Sequence, residues 1–358
     1  MIHERLFVGT YTRNTDAEGI YVFDTEAGAY TLKAVNKAVD NPSYLILSPN
    51  GRQLYCVNEI SDFQGQPEGA VSAFDIGQEG GLSLINQLSS RGGDPCHLAI
   101  DGAARFLLVS NYTGGSFASI ALMPDGALGG YGGFVQHHGS GPDTHRQSYA
   151  HVHSASIATA DQCCYVADLG LDRLSRYPLS EAGLIDAASA SYIQLNPGAG
   201  PRHLVFSTGA THAYLINELD NTLTVLERTA SGRLAVVQTL SSLPEGYLDF
   251  SSAADVHLSA DGCFLYASNR GHDSLAVFAV ERAKGLLSLV EMVSVAGSHP
   301  RNFILTPDDR GLLVANKDSD EIVIFDRDKT SGRLTDTGNR ISVPSPVCLQ
   351  FATTKTSG

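Results

Sequence analysis

Tyr266-Ala-Ser-Asn269 is one copy of a phrase that decides how this chain folds: an aliphatic residue or Tyr, two small or apolar residues, then Asn or Asp. Further copies are Tyr55-Cys-Val-Asn58, Leu108-Val-Ser-Asn111, Tyr165-Val-Ala-Asp168, Tyr214-Leu-Ile-Asn217 and Leu313-Val-Ala-Asn316, with Leu6-Phe-Val-Gly9 as a degenerate first copy. From Asn58 onward the polar residues stand 47 to 57 positions apart by their numbers, the repeat length of a four-stranded propeller blade.

The surroundings of each copy repeat as well. An apolar strand and a turn such as Pro49-Asn-Gly51, Ala260-Asp-Gly262 or Pro307-Asp-Asp309 come before it. A third apolar strand follows, as in Gly19-Ile-Tyr-Val-Phe-Asp24, Ser274-Leu-Ala-Val-Phe278 and Glu321-Ile-Val-Ile-Phe-Asp326. A Gly-centred hairpin, clearest in Ser231-Gly-Arg-Leu234 and Ser331-Gly-Arg-Leu334, leads to a fourth strand. The strands are short, alternating and bounded by turn residues, with no sustained helical period. Seven such units fill the 358 residues. The expected fold is all-β, a seven-bladed β-propeller of four-stranded antiparallel blades, whose closure leaves few strand edges free to aggregate. Length alone suggests two domains, but no linker interrupts the repeat, so one domain over residues 1–358 is expected.

An apolar fraction of 43% with 17% charged residues is ample for a packed core. The apolar runs are strand-length, so no transmembrane helix is expected, and the opening Met-Ile-His-Glu-Arg lacks the apolar stretch of a signal peptide. A cytoplasmic location is the expectation. Cys56, Cys96, Cys163, Cys164, Cys263 and Cys348 include no Cys-x-x-Cys, which points to buried thiols rather than disulfides or a zinc site. The net charge of −14 opposes binding to nucleic acid or an anionic membrane. An anionic ligand must then meet a local cluster of cations, and the chain leaves the oligomeric state open.

In a propeller the first strand of each blade lines the central channel, so equivalent positions of different blades converge at one mouth. The loops into these strands read Pro42-Ser-Tyr44, Pro95-Cys-His97, His151-Val-His153, Pro201-Arg-His203, Asp255-Val-His257, Pro300-Arg-Asn302 and Pro346-Val-Cys348. The last column holds four histidines, and the other two supply Arg202, Arg301, His151 and Asp255. A second ring comes from the residue after each phrase: Glu59, Tyr112, Leu169, Glu218, Arg270 and Lys317. Prolines here suit the start of a strand, and channel histidines often only hydrogen-bond neighbouring blades. Buried charges such as Arg202, Glu218 and Arg270 are rare unless paired or functional.

The stretch from His137 to His153 is a long connection holding five histidines, with Arg146 and Gln147 inside it. It has no helical His-x-x-x-His spacing and no Cys partner, so an ordered loop over the channel mouth is expected rather than a metal site. No nucleotide fingerprint occurs, since Gly114-Gly115 and Gly129-Gly130 lie outside any strand-to-helix context. No cofactor is called for.

Several phrases resemble the seven-bladed propeller lactonase family, which includes propeller-type 6-phosphogluconolactonase and 3-carboxy-cis,cis-muconate lactonizing enzyme. They are Val8-Gly-Thr-Tyr-Thr12, Arg146-Gln147 with His151-Val-His153-Ser154, Gly200-Pro-Arg-His-Leu-Val-Phe206 with Asn217-Glu218, Ala253-Ala-Asp-Val-His257 with Ser268-Asn-Arg-Gly-His-Asp273, and His299-Pro-Arg-Asn-Phe303. The resemblance spans the chain and implies an active site at one channel mouth with His153, Arg202, Glu218 and Arg270 as its catalytic residues. All four fall on the loops and ring set out above, where Glu59, Tyr112, Arg146, His151, His203, Asp255, Arg301 and Lys317 are the expected substrate-binding residues. The chain departs from the family pattern at Ala150, where Pro is usual, and at Leu169.

The leading expectation is hydrolysis of a sugar lactone, 6-phosphogluconolactone first, with Arg202, Arg270, Arg301 and Lys317 focused on a small anionic lactone. Glu218 or His153 would take the proton from water while Arg202 or Arg270 holds the oxyanion. The absence of a Gly-x-Ser-x-Gly elbow argues against an acyl-enzyme. The rival reading is ring closure of a carboxylated diene by the same groups. A propeller that only binds a protein partner is a third, opposed by the charged ring and by the absence of Trp.

Overall fold

The computed structural model describes residues 2–26, 28–158 and 161–355. Seven four-stranded antiparallel sheets form the blades of a ring. Six of them, called II to VII here, run in chain order from the channel outward, beginning at Leu45–Leu47, Pro95–Ile100, Val152–Ala158, Pro201–Phe206, Ser252–Leu258 and Pro300–Leu305. Blade I is composite. Its outer strands are Ile2–Thr10, Ile20–Glu26 and Ala29–Asn36, and its innermost strand is Pro346–Lys355 from the other end of the chain. The antiparallel pairing of Leu6 with Phe351 and Val8 with Leu349 closes the circle with backbone hydrogen bonds.

Seven apolar clusters hold the ring together, each between two neighbouring blades. Tyr214, Ile216, Val225, Val256, Leu265 and Phe278 fill the space between V and VI, and Leu6, Val8, Leu313, Ile322 and Leu349 that between VII and I. A middle strand is therefore covered on both faces, which is why Phe106–Asn111, Cys163–Asp168 and His212–Asn217 are buried along their whole length. Outermost strands such as Leu234–Ser241 keep the half-exposed alternation of a sheet edge.

The polar end of the repeated phrase is structural. Asn58 Nδ2 donates to the Asp40 carbonyl, Asn111 to Ser90, Asn269 to Ser242 and Asn316 to Val295. Each bond fixes the connection that leads toward the next inner strand, satisfying backbone that burial would otherwise orphan. The first copy is set one residue later than the sequence suggests. Thr10 pairs with Pro346, as Asn316 pairs with Pro300, so Thr10 and not Gly9 takes the Asn place. Gly9 is required for a different reason, because a Cβ there would meet the Pro42 carbonyl oxygen at 2.3 Å.

Candidate active site

Strand register explains how the charged side chains reach the channel. At the start of most inner strands one extra residue is inserted. Pro201 pairs with Asn217 and His203 with Ile216, which leaves Arg202 between them. The same slip isolates Cys96, His153 and Arg301. Such a bulge turns its residue out of the sheet's alternation and re-aims the side chain, so His153, Arg202 and Arg301 leave their blades from equivalent places. The four-histidine column of the sequence is corrected by this register. His97 and His203 share a position, His153 lies one residue earlier on the bulge, and His257 lies beyond, paired with Tyr266. Val152 and Ala253, which pair with Asp168 and Asn269, stand where blades I, III, V and VII have Pro, so no Pro marks the register in blades IV and VI.

Glu218 is the hub of the site. Its Oε2 lies 3.0 Å from Arg270 Nη2 and 3.1 Å from Arg202 Nε, and His153 Nε2 stands 3.8 Å away. Oε1 accepts from Arg146 Nη2 at 2.5 Å. Glu218, Arg202, Arg270 and His153 are all buried. Arg270 is braced by the carbonyls of Ser252 and Ala253. Arg202 is braced by the Ala254 carbonyl through Nη1, which also lies 3.1 Å from His203 Nε2. No protein acceptor is assigned to Arg202 Nη2 or Arg270 Nη1 among the described residues.

Arg146 comes from the long loop between blades III and IV. Asp143 Oδ1 accepts from the backbone N–H groups of His145 and Arg146. Buried Gln147 donates to the Leu169 carbonyl and to Asp172 Oδ1 at 2.8 and 2.7 Å. At the loop's base His137 bridges Asp168 and Tyr177 at 2.6 and 2.8 Å. His138 and His145 are exposed. The loop thus has one fixed course, which carries Arg146 across to Glu218 and to the Tyr112 hydroxyl at 3.3 Å.

Around this centre the remaining expected residues take different places. Tyr112 stacks on His151 at 4.4 Å and meets His153 edge-on at 5.5 Å. His203 meets His153 at 5.2 Å and hydrogen-bonds Asp255 at 2.8 Å. Asp255 is buried among His203, His257 and Asn302. Glu59 accepts from the Tyr11 hydroxyl at 2.9 Å and from Ser43, with Arg301 Nη2 at 3.9 Å. Lys317 departs from the group. It begins a short 3-10 turn, pairs with the neighbouring Asp318 and lines a rim cleft of about 510 Å³ with Asp16 and Asp320. The fourth cation beside Arg202, Arg270 and Arg301 is Arg146.

Tyr11 was missed by the sequence reading. Once Thr10 takes the Asn place, Tyr11 stands in the ring with Glu59, Tyr112 and Glu218. The Pro346–Thr10 pairing would have identified it, but that pairing joins the two ends of the chain.

The family model described as lactonase, 7-bladed beta-propeller, matches residues 5–351. The chain belongs to the lactonase family. It is 36% identical over 349 residues to a 6-phosphogluconolactonase of Bacillus subtilis, covering 96% of this chain and 97% of that one. A 6-phosphogluconolactonase of Formosa agariphila is 36% identical over 97% of this chain and 99% of its own. Among solved structures, the periplasmic gluconolactonase of Pseudomonas aeruginosa superposes with a TM-score of 0.89 at 34% identity, covering 98% of this chain and 99% of that one.

In this lactonase the charges at the site are strongly perturbed. Burial alone would raise the Glu218 pKa, but Arg270, Arg202 and Arg146 outweigh it and hold the group far below the carboxylate range. Burial, helped by Arg202 and His203, keeps His153 well below the ordinary histidine value, hence neutral. Arg202 is drawn down to about 10 by burial and by Arg270 and Arg301, which leaves it cationic at neutral pH. Arg146, Arg202, Arg270 and Arg301 face Glu218, Glu59 and Asp255, so the lactonase site carries one net positive charge inside an acidic protein. Such a site focuses anions.

Proposed function

We propose that this lactonase hydrolyses 6-phosphoglucono-lactone to 6-phosphogluconate, in the cytoplasm, without a metal. The observation that carries the reading is the buried His153 imidazole, 3.8 Å from Glu218 and set against buried arginines that retain unspent N–H groups. Water attacks the ring carbonyl, His153 accepts its proton, and Arg202 Nη2 and Arg270 Nη1 receive the oxyanion. Collapse of the tetrahedral centre breaks the bond to the ring oxygen, which takes the proton back from His153. One water is consumed and the ring opens to acid and alcohol. Glu218 orders the arginines and is not assigned the proton, since both its carboxylate oxygens are taken by Arg270, Arg202 and Arg146. Arg301 and Arg146 are suited to the phosphate, because a guanidinium fork matches its oxygens. The six free thiols are at home in a reducing compartment.

Relatives named for the phosphorylated and for the plain lactone make the substrate the point to test. Purified protein should be titrated for acid release from 6-phosphoglucono-δ-lactone and glucono-δ-lactone, with carboxymuconate followed by its ultraviolet absorbance. The expected result is fastest turnover of the phosphorylated lactone. Consumption of carboxymuconate without lactone opening would overturn the proposal in favour of ring closure.

A further inference from the structure

Blade IV is the one blade whose repeated phrase ends in a carboxylate, Asp168, where blades II, III, V, VI and VII carry Asn. Asn donates from its amide, as it does to backbone carbonyls in blades II, III, VI and VII, but an ionised carboxylate only accepts. Fully buried Asp168 is turned to a different use. Its Oδ1 takes the backbone N–H of His151 at 2.9 Å and of Leu171 at 3.2 Å, and its Oδ2 lies 2.6 Å from His137 Nδ1. His137 is the first residue after the outer strand of blade III, Leu128–Gln136, and His151 the last before the inner strand of blade IV, Val152–Ala158. Each is rooted in its own blade: the His137 N–H donates to the Gly115 carbonyl, and the His151 carbonyl accepts from the Leu169 N–H. One carboxylate therefore joins the two ends of the loop that carries Arg146. It also caps the turn Leu169–Leu171, and Gln147, toward the far end of the loop, docks on the Leu169 carbonyl and on Asp172 beside it. A loop closed at its neck and seated on a capped turn is already ordered, so less freedom is lost when a ligand binds.

We propose that His137 and Asp168 are positioning residues: their pairing closes the neck of the 138–150 loop and so aims Arg146 at the substrate. This rests on Arg146 binding the anionic end of the lactone. The His137 ring also packs against Phe117 and Tyr177, so a stability loss alone would not reveal the role.

The test compares the wild type with His137→Phe, His137→Asn and the double variant His137→Phe/Asp168→Asn. Phe keeps a ring against Phe117 and Tyr177 and removes the bond to Asp168. Asn places an amide N–H where the ring Nδ1 stood and keeps that bond. The double variant opens the neck without leaving a buried carboxylate unpaired, because it gives blade IV the residue that five other blades carry. We measure kcat and KM on whichever lactone the wild type opens, amide exchange over residues 138–150, and the rate at which phenylglyoxal modifies Arg146. His137→Phe and the double variant should raise KM about 10-fold, the scale of one charge-assisted hydrogen bond, with kcat nearly unchanged. Loop exchange and Arg146 modification should both become faster. His137→Asn should stay near the wild type in all of these. Wild-type KM and wild-type loop exchange in the folded double variant would overturn the proposal, as would equal losses in His137→Phe and His137→Asn. A wild type inert toward every lactone counts against the proposed function instead. Loop exchange and Arg146 modification then still decide the positioning role.

Discussion

Arg301 lies over the ring of Tyr11, its guanidinium carbon 5.2 Å from the ring centroid, while the Tyr11 hydroxyl is spent on Glu59. Among the described residues, Arg301 has only the long 3.9 Å approach to Glu59. The aromatic face thus supports a cation whose fork is uncommitted. Charge-assisted hydrogen bonds are worth about 1.5–3 kcal/mol, so Arg301→Ala should raise KM for the phosphorylated lactone on the order of 10–100-fold. The change for the unphosphorylated lactone should be smaller. Arg301→Lys should restore only part, because an ammonium cannot reproduce the fork. Equal KM effects on both lactones in steady-state assays would show that Arg301 does not read the phosphate.

Glu218 and His153 lie close together but differ in what their loss should do. Glu218→Gln leaves Arg202 and Arg270 buried without their counter-charge, which costs about 3–5 kcal/mol of stability and is read as a lowered melting temperature. Its residual activity should keep the wild-type pH profile, because the proton acceptor is intact. His153→Asn should retain most of the stability and lose about 10²–10⁴-fold in kcat, the range of general-base catalysis. The opposite pattern, with Glu218→Gln abolishing the basic group from the pH–rate profile, would reassign the base.

What the sequence disclosed followed from the periodicity of burial. Middle strands packed on both faces must be apolar throughout, so the Asn phrase repeats visibly, and the residue after it falls on one ring. Glu218 and Arg270 were legible for that reason, and Arg202 because Pro201 marks its strand. Bulges were illegible. Nothing in His151-Val-His153 says that Val152 pairs with Asp168 and that His153 is inserted. Lys317 could not be separated from Arg270 by position, since what diverts it is the local turn and Asp318. Arg146 was found through the family resemblance, and its contact with Glu218 depends on loop bonds that span 22 to 25 residues.

The channel histidines should make the fold acid-sensitive before its carboxylates do. Burial depresses His97 and His153 well below the usual value and His203 to about 4, while Asp255 raises His257. A group with a lowered folded pKa binds its proton first in the unfolded chain, so stability falls as pH drops below about 6.5, by up to ~1.4 kcal/mol per pH unit per such histidine. With His151 lowered and His299 brought to about 4 by burial as well, five depressed histidines outnumber the raised one. The depressed carboxylates Glu218 and Asp255 extend the loss below about pH 4.5, where the unfolded chain begins to take up their protons too. Denaturant melts between pH 7.5 and 5 should show a steady fall in stability. A flat profile would mean that these imidazoles take up protons in the folded protein as readily as in the unfolded chain.

Gln147 links the loop to the site at a distance. It is buried, donates to the Leu169 carbonyl and Asp172, and accepts from the Asp143 N–H at 3.1 Å through Oε1. Asp143 in turn caps the N–H of Arg146. Gln147→Leu keeps the volume and removes the three side-chain bonds to Leu169, Asp172 and Asp143, so the loop should loosen and Arg146 should lose its aim at Glu218. We expect faster amide exchange over residues 138–149 and a rise in KM, while the blades keep their protection. Arg146→Ala should raise KM by itself, since its guanidinium is lost outright. The deciding measurement is the double variant, because residues acting through one another do not add. If Gln147 works only by aiming Arg146, Gln147→Leu adds nothing to KM once Arg146 is Ala. Full additivity would give Gln147 a separate role and leave Arg146 positioned without it.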